Sequence, residues 1–173
     1  MNLIKDIDPG TADEINVIVE IPKGSKNKYE IDKKTGLIAL DRVMHTTQDT
    51  PFDYGFVPQT LWEDGDPLDV VILTTYPLVP GLLVSVRPVG MMEMNDGGDD
   101  DVKIIAVPVS DPRWAEVTDI DTINKHTLKE MEHYFSTYKN LQNKKVIVGG
   151  FKGKADAVAA FAKALDLYKA KNA

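Results

Sequence analysis

The sequence predicts an α+β fold, in which a small antiparallel β-barrel or sheet is followed by two helices. Short alternating or fully apolar segments, punctuated by Pro and Gly, occupy the chain up to residue 109 and recur at residues 145–149. Apolar residues at helical spacing occur in two stretches, 127–141 and 154–170, both near the end of the chain. Strands that precede helices in this way are typical of α+β domains. With 173 residues, the chain is expected to form one domain.

The predicted strands are recognised by their alternation or by an unbroken apolar run. Residues 14–21 place four aliphatic side chains on one face and Glu20 on the other. Residues 28–32 alternate in the opposite sense, so that Lys28 and Glu30 share a polar face. The remaining predicted strands cover residues 36–42, 69–73, 82–89, 102–109 and 145–149.

Each predicted helix carries one apolar stripe that is expected to face the core. The stripe of the first helix consists of Leu128, Met131, Phe135 and Tyr138. Thr127 and Glu130 resemble a capping box at its start, although an earlier start at Asp121 or Thr122 remains open. The stripe of the second helix consists of Val158, Phe161, Leu165 and Tyr168.

The composition argues against several classes of protein. The absence of cysteine removes disulfides, thiolate metal sites and thiol nucleophiles. The net charge of −7 and an aromatic content of 8% argue against a nucleic-acid-binding barrel, which needs a basic groove with exposed aromatic side chains. No apolar run approaches the roughly 20 residues of a membrane span. The first residues, MNLIKDIDPG, contain no apolar signal core, so a cytoplasmic protein is expected.

An acidic turn precedes one of the apolar strands. Asp64, Asp66 and Asp69 lie within six residues of each other, and such carboxylates repel one another unless a cation neutralises them. Oxygen-only ligands select hard ions such as Mg²⁺, Mn²⁺ or Ca²⁺. An EF-hand is excluded because its pattern requires glycine at the position of Asp69. A solvated acidic turn and a structural Ca²⁺ module both remain open.

A second acidic cluster lies at residues 95–103 and contains Asp96, Asp99, Asp100 and Asp101. Taken alone, this cluster is typical of a flexible hairpin tip. Two such clusters at strand ends can converge on a site for several metal ions. Basic residues that suit a bridging phosphate are also present, and they are Lys28, Arg42, Lys103 and Lys139. Acidic ligands for metals and basic ligands for phosphate together predict a small, phosphate-rich substrate.

The segment 64–70, DGDPLDV, resembles the acidic signature of the family I soluble inorganic pyrophosphatases. The resemblance extends in order from about Glu14 to Gly150. The segments that carry it are VEIPKGSKNKYEID (19–32), LDR (40–42), DYGFVPQT (53–60), YPLVPG (76–81), RPVG (87–90), KIIAVPVSDP (103–112) and HYFSTYKNL (133–141). An ordered set of this length is not expected by chance.

The resemblance implies a five-stranded OB-like barrel with flanking strands and two main C-terminal helices. It further implies that residues 1–173 form a single catalytic domain that hydrolyses pyrophosphate to two orthophosphates. A water activated by several Mg²⁺ ions would attack directly, with Mn²⁺ or other divalent ions as possible substitutes. The resemblance to prokaryotic members of the family also implies a homohexamer. No nucleic-acid or membrane partner is expected, because of the acidic net charge and the short apolar runs.

Residue roles follow from the same resemblance. Asp64, Asp69 and Asp101 resemble ligands of the activating metal. Asp96, together with Asp101, resembles ligands of a metal that arrives with the substrate, Glu30 a ligand of a further ion, and Glu20 an outer acid near that ion. The expected phosphate ligands are Lys28, Arg42, Tyr54, Lys103, Tyr138 and Lys139. Asp66 would serve as the general base, and Tyr54 would flank the attacking water beside it.

The chain departs from the family pattern at two positions. Thr50 stands where an aromatic residue usually precedes Pro51, within the polar stretch HTTQDT, so a contact in the pocket wall is expected to differ. Phe151 replaces a usual tryptophan, which predicts a change in packing. Asp99 and Asp100 match no family role and are expected at a hairpin tip. The three histidines, His45, His126 and His133, are expected on the surface or on a helix.

Overall fold

Five strands close into a barrel in the computed structural model, which describes residues 2–32 and 34–172. In chain order, the elements are β1 (Ile15–Ile21), β2 (Asn27–Ile31), β3 (Ile38–Val43), β4 (Asp53–Phe56), β5 (Asp69–Ile72), β6 (Leu83–Asp96), β7 (Asp99–Asp100), β8 (Lys103–Pro108), α1 (Lys125–Thr137), β9 (Val146–Gly153) and α2 (Lys154–Asn172). Short 3-10 turns cover Pro112–Trp114, Ile120–Thr122 and Asn140–Gln142.

The barrel strands pair in the order β1-β4-β5-β8-β6, and β6 pairs back with β1 to complete the ring. The predicted fold class is thereby confirmed. Four of the pairings are antiparallel, whereas β5 and β8 run parallel, since the long strand β6 lies between them in sequence. Strands β7 and β9 extend the sheet along β6, and β2 and β3 form a separate hairpin.

Strand β6 is much longer than its predicted segment, which ended at residue 89. It continues to Asp96, and its pairing with the neighbouring strands is interrupted by two register shifts. The register with β8 shifts between Pro88 and Gly90, where the missing N–H of proline is tolerated. A second shift, between Glu93 and Met94, lies in the pairing with β9. This extra length carries Asp96 to the far end of the strand.

Strand β4 was not predicted, because its sequence DYGF contains Asp and Gly, which are depleted in strands. Tertiary contacts decide its conformation. A Cβ atom on Gly55 would lie only 2.1 Å from the carbonyl oxygen of Ile18, so glycine allows β4 to approach β1 closely.

Helix α1 begins later than one predicted start and earlier than the other. The side chain of Asn124 caps it by accepting a hydrogen bond of 2.8 Å from the amide of His126. The expected capping box at Thr127 and Glu130 is therefore wrong, since both residues lie inside the helix. Residues 120–122 form a separate 3-10 turn capped by Asp119.

The predicted stripe of α2 is also wrong in part. Of its four residues, Phe161 is buried and Leu165 is partly buried against the same cluster, whereas Val158 and Tyr168 are partly exposed and lie outside that cluster. The buried face instead consists of Ala157, Ala160, Phe161 and Ala164. Small alanine side chains let the helix backbone lie close to the barrel. In a hydrophobicity pattern, alanine counts for less than larger apolar residues such as Val158 or Leu165, so the pattern pointed in part to the wrong face. Within the described residues, neither helix combines the length and the apolar character needed to cross a membrane.

Alternate residues of the barrel strands feed two apolar clusters. Val70 and Ile72 of β5 pack in the cluster that α2 covers, whereas Val71 packs in the cluster beneath α1. Such alternation follows from the period of two along a strand. Both faces of the sheet are consequently buried at these positions.

Asp53 is a buried carboxylate that ties three segments together. Its side chain is 0% exposed and accepts hydrogen bonds from the amide of Lys23 at 2.9 Å and the amide of Leu78 at 3.0 Å. The hydroxyl of Thr74 also donates to it. Strand β4 is thereby joined to the loops before β2 and after β5.

Replacing Asp53 with Ala should lower the free energy of unfolding by about 3 kcal/mol, because several buried donors lose their acceptor at once. Urea unfolding monitored by circular dichroism would measure the change. Thr74→Val, which removes one of these donors, should cost less. Equal losses in the two variants would contradict the role assigned to Asp53.

Candidate active site

The acidic turn and strand β8 meet at one end of the barrel. Asp69 is the first residue of β5 and lies opposite Lys103 in the parallel pairing with β8. The ammonium of Lys103 is 2.6 Å from Asp69 Oδ2 and also contacts Asp101. Since Lys103 is only 3% exposed, its charge is held between these two carboxylates.

The turn itself is shaped by its own backbone. Gly65 has a φ of +92°, a conformation that side chains with a Cβ rarely adopt. The amide of Trp62 donates to the carbonyl of Asp66 at 2.7 Å, and the amide of Asp66 donates to Asp64 Oδ1 at 3.0 Å. These bonds hold the two aspartates on a rigid turn directly before β5.

The second acidic cluster is divided by its hairpin. Asp96 ends β6 and contacts the ammonium of Lys139, whereas Asp101 follows β7 and faces Lys103. Asp99 and Asp100 are exposed beside two glycines with positive φ, as expected of a hairpin tip. Only two of the four acids thus turn toward the barrel end that carries Asp69.

Strands β1 and β2 bring further acids to the first turn. A cavity of about 110 Å³ is lined by the charged residues Glu20, Lys28, Glu30, Asp64, Asp66 and Asp69. Lys28 Nζ lies 2.9 Å from Glu30 Oε1 on the same face of β2, as the alternation predicted. Residues from three separate segments therefore share one polar cavity.

A second cavity adjoins the first at Lys28. It measures about 40 Å³ and is lined mainly by aromatic and basic side chains, among them Lys28, Arg42, Tyr54, Tyr134 and Tyr138, and also by Thr50. Lys28 and Arg42 lie opposite each other in the β2–β3 pairing. Lys139 follows Tyr138, and its ammonium lies 5.3 Å from the centre of the Tyr138 ring. Lys28 and Arg42 are therefore the basic residues that line the second cavity, whereas the acids line the first cavity together with Lys28.

Burial and mutual repulsion weaken the ionisation of the acids. Burial raises the pKa of Glu20 to about 8, although the charge of Lys28 opposes this rise. Burial likewise raises the pKa of Asp64 and of Asp101, and neighbouring carboxylates add to both shifts. Carboxylates that are hard to ionise together become easy to ionise when cations lie between them.

The pKa values of the buried lysines and tyrosines in this region are also raised, with different consequences for the two residue types. Burial alone would lower the pKa of Lys28 and of Lys103, but the surrounding carboxylates outweigh it, so both pKa values are raised. Burial raises the pKa of Tyr54 and of Tyr138, and nearby aspartates reinforce this effect. The lysines are therefore charged and the tyrosines are neutral hydrogen-bond donors at neutral pH.

The donor set fits hard divalent cations in its chemistry. Every acidic ligand is a carboxylate, and oxygen-only sets favour Mg²⁺, Mn²⁺ or Ca²⁺. Among the described residues, however, no three acidic or histidine side chains are drawn together as a ready set of metal ligands. Lys103 and Lys139 lie against the carboxylates instead and neutralise part of their charge.

One residue of this region, Tyr134, escaped the sequence patterns. Tyr134 lies in the wall of the basic cavity, and its hydroxyl is 3.1 Å from that of Thr50. It precedes Phe135, which the helical stripe did include, so a wider stripe would have found it. His45, His126 and His133 are exposed, as expected, and Phe151 packs in part against the cluster beneath α1.

Comparison with known proteins identifies the family. The family model for inorganic pyrophosphatase matches residues 17–169. The chain is 47% identical over 163 residues to soluble inorganic pyrophosphatase 1 of Arabidopsis thaliana, covering 94% of this chain and 77% of that protein. It is 45% identical over 172 residues to an inorganic pyrophosphatase of Haloferax volcanii, covering 98% and 97% of the two chains.

The fold agrees with these relatives. The crystal structure of inorganic pyrophosphatase from Thermus thermophilus superimposes with a TM-score of 0.94 at 40% identity, covering 98% of this chain and 99% of that one. A structure from Helicobacter pylori gives a TM-score of 0.91 at 42% identity, covering 95% and 99%. Sequence and fold agree over nearly the whole chain, which therefore belongs to the inorganic pyrophosphatase family of enzymes, the hydrolases that convert pyrophosphate to phosphate.

Proposed function

We propose that this chain hydrolyses pyrophosphate with Mg²⁺, using the two adjoining cavities as one active site. The observation that carries this proposal is their shared wall at Lys28, which joins an acidic cavity to a basic one. A diphosphate with bound cations matches the two cavities, because its oxygens suit the basic groups of one and its cations suit the carboxylates of the other.

The basic side would hold the phosphate groups. Arg42 and Lys139 present charged donors from β3 and from the end of α1, and Lys28 does so from β2. Tyr54 and Tyr138 would donate from neutral hydroxyls, since the pKa of each is raised. Lys103 would act from beside them by neutralising Asp69 and Asp101. These donors would stabilise the charge that moves to the leaving phosphate.

The acidic side would hold the cations. Asp64, Asp69 and Asp101 would ligate an activating ion, and Asp96 with Asp101 an ion that enters with the substrate. Glu30 would contact a further ion, with Glu20 behind it. Bound divalent ions supply charge neutralisation and make a coordinated water much more acidic than bulk water.

Asp66 would take the proton of the attacking water. It lies on the rigid turn between two proposed metal ligands and lines the acidic cavity. Tyr54, in the neighbouring cavity wall, would help to orient the same water. Direct attack requires no covalent intermediate with the chain.

We further propose that residues 1–173 act as a single catalytic domain in the cytoplasm, without nucleic-acid or membrane partners. The net charge of −7 supports the absence of nucleic-acid binding, and the lack of cysteine agrees with a reducing compartment.

Assembly into a homohexamer is proposed from the resemblance and is supported by exposed apolar side chains. On β3 and just before it, Leu37, Ile38, Leu40 and Val43 are 44% to 67% exposed. The segment 76–83 exposes Tyr76, Val79, Leu82 and Leu83. The two patches adjoin, because a Cβ on Gly81 would lie 2.2 Å from Ile38 Cδ1. Apolar patches of this kind mark interaction surfaces.

Val79→Glu should convert the oligomer to smaller species, because it places a charge in the proposed interface. Sedimentation velocity at micromolar concentration would measure this. Ile147→Glu, at another exposed apolar residue, should leave the assembly intact. A wild-type monomer would contradict the hexamer while leaving the proposed chemistry untouched.

Asp69→Asn and Asp66→Asn should impair catalysis in different ways. Phosphate release from pyrophosphate should require Mg²⁺ in the wild type. Loss of a ligand in Asp69→Asn should raise the Mg²⁺ concentration needed, with partial rescue by excess Mg²⁺ or Mn²⁺. Loss of the base in Asp66→Asn should lower kcat about 10²- to 10⁴-fold at saturating metal and move activity to higher pH.

Metal titration by calorimetry, together with pH–rate profiles, distinguishes these two outcomes. Asp100→Asn is a matched control, since it removes an exposed carboxylate from the hairpin tip. Normal metal-saturated kcat with lost metal binding in Asp66→Asn would show that Asp66 is a ligand and not the base.

Glu20→Gln should stabilise the metal-free protein increasingly as pH rises. Burial raises the pKa of Glu20 from 4.5 to about 8 in the folded chain, so the wild type loses stability between these two pH values. The variant does not titrate there and should be more stable by about 4 kcal/mol at pH 8, the free energy that this rise in pKa represents, with little difference near pH 4.

Urea unfolding in the presence of a chelator, repeated from pH 4 to pH 9, would measure this difference. Glu132→Gln, at an exposed position on α1, should give no such pH-dependent gain. A gain for Glu20→Gln that is equal at every pH would contradict the assigned cause.

A further inference from the structure

The segment 44–52, here called the strap, joins β3 to β4 and contains the polar stretch HTTQDT. Its polar side chains are used for contacts with α1. Gln48 Nε2 donates to Thr137 Oγ1 at 2.9 Å, and the hydroxyls of Thr50 and Tyr134 lie 3.1 Å apart. Two side-chain hydrogen bonds therefore hold the strap to the helix.

The hydrogen bond between Thr50 and Tyr134 is buried. Thr50 is 1% exposed and Tyr134 is 4% exposed. The backbone of Thr50 is also fixed, because its amide donates to the carbonyl of Ser25 at 3.1 Å and its carbonyl accepts from the amide of Gly24 at 2.8 Å. A buried hydroxyl without a partner is costly, so each of the two hydroxyls constrains the other.

Tyr134 passes this constraint to Tyr138 one helical turn later. The two rings are stacked, with centroids 5.4 Å apart and planes inclined by 24°. Phe52, at the end of the strap, meets Tyr134 edge-on at 5.5 Å and stacks on Phe135 at 5.3 Å. The orientation of the Tyr138 ring thus depends on where the strap places its neighbours.

The strap begins two residues after Arg42, which lies on β3. Arg42, Thr50, Tyr134 and Tyr138 all line the same cavity. The charge of Arg42 opposes the rise in pKa that burial causes in Tyr134 and in Tyr138, as expected for groups that lie close together. Arg42 is about half exposed on a hairpin that leaves the barrel, so its position depends on such connections.

We propose that Thr50 and Tyr134 are positioning residues for pyrophosphate binding. Their hydrogen bond locks the strap onto α1 and thereby sets the separation between Arg42 on β3 and Tyr138 at the end of the helix. Groups held in place before the substrate arrives lose less conformational freedom when it binds. The inference rests on the proposed function, because it takes Arg42 and Tyr138 as phosphate ligands.

Thr50→Val and Tyr134→Phe test the inference, since each removes one hydroxyl with little change in shape. Each should raise the KM for pyrophosphate about 2- to 10-fold, the range of one hydrogen bond, with kcat and the Mg²⁺ requirement unchanged. The double variant should be no worse than the more impaired single variant, because one interaction is lost in all three. Thr50→Ser, which keeps the hydroxyl, should restore the wild-type KM.

Ser85→Ala is the matched control, because it removes a hydroxyl that donates a hydrogen bond of 2.6 Å to Glu14. Ser85 lines neither of the two cavities. The KM of this variant should equal that of the wild type. An unchanged KM in Thr50→Val and Tyr134→Phe, or fully additive effects in the double variant, would overturn the inference. So would a loss of kcat alone.

Calorimetric binding of methylenediphosphonate in the presence of Mg²⁺ separates this inference from the proposed function. A wild type that binds the diphosphonate but releases no phosphate from pyrophosphate would refute the proposed function. The positioning role could then still be tested, because Thr50→Val and Tyr134→Phe should bind the diphosphonate more weakly than the wild type does. A wild type that fails to bind the diphosphonate would refute both.

Discussion

The repulsion among carboxylates at one barrel end is the constraint on which the rest of the structure depends. Asp69 begins β5 and Asp101 lies two residues before the start of β8, and because these two strands must pair for the barrel to close, the two acids are held close together. The buried ammonium of Lys103 lies between them and compensates part of their charge. A lysine this deeply buried is tolerated only because its partners are charged, and the acids are tolerated for the same reason.

Burial is the main cause of the raised pKa values of Glu20, Asp64 and Asp101, and repulsion from neighbouring carboxylates adds to each of them. A folded chain that carries acids with raised pKa values gives up stability at neutral pH. In the proposed function, bound cations relieve that loss, so stability and metal binding are coupled through the same carboxylates. The site is thus organised around charge, and the apolar clusters on both faces of the sheet make the framework rigid enough to hold it.

The basic half is organised differently. Its charges come from a hairpin and from a helix end, neither of which belongs to the barrel ring. Aromatic packing and the strap connect these outlying elements. The polar stretch HTTQDT, which departs from the family pattern in sequence, is explained by the hydroxyl and amide contacts it makes with α1. Three of the aromatic residues that line the cavity, Tyr134, Phe135 and Tyr138, come from α1 and its C-terminal end, whereas the strap contributes Phe52 and the small Thr50.

The sequence alone determined the fold class, the positions of most strands and the two acidic clusters, because alternation and like-charge spacing are local patterns. Asp64, Asp66 and Asp69 lie within one turn, so their proximity needed no tertiary information. Only the tertiary structure decided that β4 is a strand, since its Gly55 serves the approach of a distant strand. The buried face of α2 was decided by close helix–barrel contact, which favours alanine over larger residues. The joining of the acidic and basic cavities at Lys28, and the contact of Thr50 with Tyr134 across 84 positions of chain, depend on strand register and helix docking. Such long-range contacts leave no periodic trace in the sequence, because they are fixed by the packing of elements far apart along the chain.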